Sequence, residues 1–87
     1  MDGRPLCSDS DFYVRELEDD RTYIMVTFKP YTKDTFHIAK IRESKDGERL
    51  VIHIGRRYAG FTRGTPEEAI TQTKRLLAKY FRYDYDG

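Results

Sequence analysis

The side chains of this sequence that could do chemistry are few: two histidines, one cysteine, two pairs of adjacent acids, and arginines interleaved with aromatics. His37 and His53 have no nearby cysteine and no HxxxH spacing, so they make a poor metal site and read as structural or surface histidines. Cys7 stands in a small, polar segment without the fixed basic partner that activates a thiol. Asp19-Asp20 and Glu67-Glu68 suit a turn and a helix start better than general acid and base roles. Gly55, Gly60 and Gly64 are too widely spaced for a P-loop or a dinucleotide fingerprint and punctuate turns instead. The expectation is a protein that is not an enzyme and uses no cofactor or metal.

The basic segment carries the only functional signal. From Gly55 to Gly64 it holds Arg56, Arg57 and Arg63 with Tyr58 and Phe61, and no acid lies between Glu48 and Glu67. Guanidinium groups pair with phosphates in bidentate fashion, and aromatic faces stack on bases. Lys40, Arg42 and Arg49 are placed to extend the patch across neighbouring strands. Two plainer readings stand beside this one. The loop is solvated and its aromatics tuck into the core, or the same side chains meet a protein.

Charge is segregated along the chain behind a formal net charge of +1. Residues 1–20 hold seven acids and two bases, whereas residues 49–82 hold eight bases and two acids. A polyanion would be attracted to one region and repelled by the other. Where the acidic first twenty residues lie therefore decides whether the basic region is free. The single Cys7 excludes an internal disulfide and fits a reducing compartment, so a cytoplasmic location is expected. No long apolar run is present, and no membrane partner is expected.

The elements that must position these residues follow from periodicity. Thr22 to Lys29 alternates, with Ile24, Val26 and Phe28 on one face, and Pro30 stops it. Phe36 to Arg42 and Leu50 to Ile54 read as two further strands, joined across Ser44-Lys45-Asp46-Gly47, where Asp-Gly suits a hairpin turn. Tyr58 to Thr62 fits one more short edge strand. Asp11 to Leu17 suits either a strand or a short helix, with the strand preferred. Thr65 as N-cap, Pro66 at the first helical position and Glu68 three residues after the cap mark a helix start. Ala69, Ile70, Thr73, Leu76, Leu77, Tyr80 and Phe81 then form one continuous helical face.

These elements predict a single α+β domain over residues 11–82. It is an antiparallel meander of three or four strands packed by one C-terminal helix, with a flexible N-terminus (1–10) and tail (83–87). The run Ala39-Lys40-Ile41-Arg42-Glu43, with Gly47, Arg49-Leu50 and Thr65-Pro66-Glu67-Glu68-Ala69, resembles the AP2 and integrase-arm DNA-binding domains over about half of the chain. That resemblance implies a three-stranded sheet with one helix, a sheet face that reads the DNA major groove, and Lys40, Arg42 and Arg49 as contacts. The chain departs from it in a longer loop before the helix and in lacking tryptophan. A second resemblance, to HicB-like antitoxins, rests on the β-β-β-α order and on Gly64 to Ala69, and implies a partner protein.

The expected function is a small nucleic-acid-binding module using Lys40, Arg42, Arg49, Arg56, Arg57, Tyr58, Phe61 and Arg63. The alternative is a protein-interaction module, either antitoxin-like or a phage-type inhibitor of a host protein. Pairing of edge strands into a homodimer is a third expectation.

Overall fold

A computed structural model describes residues 3–19, 22–31 and 34–86. The strand β1 (Leu6–Cys7) and a short 3-10 turn (Asp9–Asp11) lead into β2 (Phe12–Asp19), β3 (Thr22–Phe28), β4 (His37–Glu43), β5 (Leu50–Ile54) and β6 (Arg57–Thr62). The helix α1 (Pro66–Tyr80) and the short strand β7 (Asp84–Tyr85) close the chain. Strands β2 to β6 form one antiparallel sheet in sequence order, and α1 packs on a single face of it. The protein is therefore α+β, with five strands in the main sheet rather than three or four. The ambiguous segment after Asp11 is a full strand, β2, and the short edge strand expected from Tyr58 is β6, which begins one residue earlier at Arg57.

Each element has a local cause. In β3 the alternation buries Ile24, Val26 and Phe28 toward the helix layer, and β4 and β5 add Ala39, Ile41, Ile52 and Ile54 to the same face. The β4–β5 connection spans residues 44–49. Gly47 takes a left-handed φ of 73°, and the Asp46 carboxylate accepts from the Glu48 N–H at 3.0 Å and the Ser44 hydroxyl at 2.6 Å. The β5–β6 turn has only Gly55 and Arg56 between the paired residues Ile54 and Arg57, and glycine takes the first central position with a φ of 61°.

The capping box at the helix start is formed on both sides. Thr65 Oγ1 accepts from the Glu68 N–H at 3.2 Å, and Glu68 Oε1 accepts from the Thr65 N–H at 2.7 Å. The buried face of α1 is Ala69, Thr73, Leu77 and Ala78, with Ile70, Leu76 and Phe81 partly covered. Tyr80, expected on this face, is instead 51% exposed at the rim beside β6. Its neighbour Phe81 takes the inward place, with its ring stacked on His37 of β4 at 3.5 Å, and Tyr80 is left beside Ile54 and Arg57.

The helix ends in a Schellman motif. The Tyr83 N–H donates to Ala78 O at 2.7 Å and the Arg82 N–H donates to Lys79 O at 3.2 Å. Arg82 occupies the left-handed position with a φ of 64°, where glycine is the usual residue. We expect Arg82→Gly to raise stability by between about 0.5 and 1 kcal/mol in chemical denaturation, by removing the Cβ strain of that position. Unchanged or lower stability would contradict the motif.

The motif turns the tail back across the sheet. Tyr83 is buried against Phe28, ring edge to face at 5.1 Å, and Phe28 stacks on Phe12 at 4.7 Å. The two chain ends, expected from the sequence to be flexible, pair with each other as a parallel ladder, Leu6 with Asp84 and Cys7 with Tyr85. Cys7 is buried there; burial first, then Asp11 and Asp84, pushes its thiol up to about 11. No helix among the described residues is long and apolar enough to cross a membrane.

Candidate nucleic-acid interface

The helix and the paired ends cover one face of the sheet and leave the other open. On the open face, register sets side chains from different strands in straight rows. One row runs Arg15, Met25, Lys40, His53 and Tyr58 across all five strands. By register the next row holds Asp19, Thr22, Arg42, Val51 and Phe61. Neighbours in a row are about 4.8 Å apart, and rows about 6.7 Å. Arg15, Lys40 and Arg42 are exposed. Among the described residues no carboxylate shares the row through Lys40, whereas Asp19 stands in register at the far end of the row through Arg42.

The aromatic pair on this face depends on a bulge. Tyr58 and Phe61 are three residues apart, a spacing that puts side chains on opposite faces of a regular strand. In β6 the register shifts, because Tyr58 pairs with His53 while Gly60 pairs with Ile52, leaving Ala59 as an extra residue. The extra residue restores both rings to the open face. Gly60 lies under Gln72 and Leu76 of α1, and Gln72 Nε2 donates to Phe61 O at 3.2 Å, which holds the bulge against the helix. Tyr58 meets His53 edge to face at 6.1 Å. The Arg49 and Arg63 guanidiniums lie 5.3 and 6.0 Å from the centre of the Phe61 ring.

The sequence-predicted site residues are therefore divided. Lys40, Arg42, Arg49, Tyr58, Phe61 and Arg63 come together on or beside the open face. Arg56 stands in the β5–β6 turn at the end of the sheet. Arg57 pairs with Ile54 and faces the helix side, where it lines a groove with Leu76, Lys79 and Tyr80. The segment read as one basic loop is a hairpin arm, and strand alternation sends its arginines to different faces. Sequence reasoning missed Arg15 and His53. The only available signal was the alternation of residues 12–15, which identifies a face only once β2 is known to pair with β3.

Of the acids in the first twenty residues, Asp9 and Asp11 lie on the other layer, whereas Asp19 stands in register with Thr22 and Arg42. Asp9 accepts from Lys74 Nζ at 3.1 Å and from the Tyr85 hydroxyl. The Tyr85 bond first, then the Lys74 bond, holds the Asp9 carboxyl below its usual range. Burial, then Asp9, pushes Tyr85 up to about 12. Asp11 is buried and accepts from the Ser8 N–H at 2.9 Å. These contacts tie the segment to α1 and β7 at the β2 side of the molecule, away from β6. Among the described residues no three His, Cys, Asp or Glu side chains gather to hold a metal ion. Compared with family models, curated proteins and solved structures, the chain matches none.

Proposed function

We propose that the chain is a small, non-enzymatic nucleic-acid-binding module whose interface is the open face of the five-stranded sheet. The observation that carries this reading is the pairing of exposed cations with exposed rings on one face, whose central row from Arg15 to Tyr58 holds no carboxylate among the described residues. Arg15, Lys40, Arg42, Arg49 and Arg63 supply positive charge, and Tyr58 and Phe61 supply π-faces. Seating of Asp9 and Asp11 on the helix layer keeps their charge off that face.

Phosphate contacts release counterions, so affinity should fall with salt. Three to five of these cations engaging phosphates correspond to a log–log slope between about −2 and −4.5. Fluorescence anisotropy of labelled oligonucleotides, titrated at salt concentrations from roughly 50 to 250 mM, measures that slope directly. Absence of salt-sensitive binding would overturn the reading.

A protein partner is the second reading, and one observation favours it. The outer edge of β6 pairs with no other strand among the described residues. Beside it lies a groove between β6 and α1 lined by Ile54, Ala59, Leu76 and Tyr80 together with Arg57, Tyr58 and Lys79. An extended segment adding to that edge would find main-chain partners and an apolar floor. Binding that survives nuclease treatment and is lost on Leu76→Glu would favour this reading.

A further inference from the structure

We infer that the nucleic acid this face takes is single-stranded, with one base stacked on Tyr58 and the next on Phe61. This rests on the nucleic-acid reading above and specifies its substrate class. The first observation is width. Five strands spaced about 4.8 Å apart make a face about 19 Å across, whereas the major groove of B-DNA is about 12 Å wide. The cations span that width, from Arg15 on one edge strand to Arg63 at the end of the other, so the face lies across a groove rather than entering it.

The second observation is the bulge. By setting Tyr58 and Phe61 on the same face in adjacent rows, it places two rings about 7 Å apart. A duplex hides the faces of its bases in the stack, so rings displayed to solvent have nothing to stack on there. Unpaired bases splay out and stack on such rings. Tyr58 is 61% exposed and Phe61 40% exposed, so both can be reached. The third observation is charge beside the rings. Arg49 and Arg63 flank Phe61, and Lys40 and Arg42 stand two strands inward from Tyr58 and Phe61, where the backbone of a strand crossing the sheet would run.

The test uses the full chain and three labelled probes of one sequence: single-stranded DNA, single-stranded RNA, and the blunt DNA duplex. Anisotropy should show a single strand bound about tenfold or more tighter than the duplex at equal salt, roughly what one stacked base contributes. Tyr58→Leu and Phe61→Leu keep apolar bulk and remove the ring. Each should weaken single-strand binding by roughly five- to hundredfold, with thermal melts like that of the parent. Duplex bound as tightly as the single strands would overturn this inference while leaving the nucleic-acid reading intact. So would leucine variants that melt normally and bind single strands like the parent. Failure of all three probes to bind would overturn the nucleic-acid reading itself.

Discussion

Leu77→Asp should unfold the domain. Leu77 is fully buried at the centre of the helix–sheet contact, in a core with Ile41, Ile52, Val26 and Phe28. Removing a buried leucine costs about 2–5 kcal/mol. Placing a carboxylate there without a partner adds a penalty of several kcal/mol more. A domain of this length has a total stability on the order of 4–13 kcal/mol, so the substitution removes most or all of it. Circular dichroism should show loss of both helix and strand signal and no cooperative melt. Leu77→Ala should remain folded and lose about 3 kcal/mol. A cooperative melt of Leu77→Asp near the parent temperature would contradict the placement of α1 on the sheet.

Reversing two charges on the open face should weaken nucleic-acid binding by about a hundredfold at roughly 0.1 M salt without touching the fold. Lys40 and Arg42 are exposed on the central strand, so Lys40→Glu with Arg42→Glu should change stability by less than about 0.5 kcal/mol each. Each phosphate contact on a single strand contributes about 0.7 to the salt slope, which near 0.1 M amounts to about 0.7 of a decade of affinity. Losing two contacts therefore costs about 1.4 decades, repulsion from the two introduced carboxylates adds the rest, and the slope should become shallower by at least about 1.4. The control is Arg57→Glu. Arg57 belongs to the same basic run in the sequence but faces the helix side, so its reversal should change affinity by less than roughly threefold, the effect of a distant screened charge. Equal losses from both variants would mean that general charge, not this face, governs binding.

The difference between Arg57 and Lys40 shows where the sequence stopped being informative. Periodicity within one element was legible: the inward set of β3, the Leu50 to Ile54 strand, and the capped start of α1 all follow from local rules. Pairing between elements was not. Which face Tyr58 and Phe61 share depends on the Ala59 bulge, and the bulge depends on Gly60 passing beneath Leu76 and Gln72. Arg15 joins the row of Lys40 only because β2 pairs with β3 in a particular register. The terminal ladder was equally hidden, since Leu6–Cys7 and Asp84–Tyr85 are short, far apart in sequence and brought together by the turn at Arg82. Residue types named the candidate chemistry, and the tertiary register decided which of them share one surface.

Binding is expected on the open face of the sheet. Mapping amide chemical shifts during titration with a single-stranded oligonucleotide tests it most directly. The largest changes should fall at Arg15, Lys40, Arg42, Tyr58 and Phe61, with Asp9, Lys74 and Tyr85 unmoved. Changes gathered on α1 or on the terminal ladder, with Arg15, Lys40 and Arg42 unmoved, would contradict it.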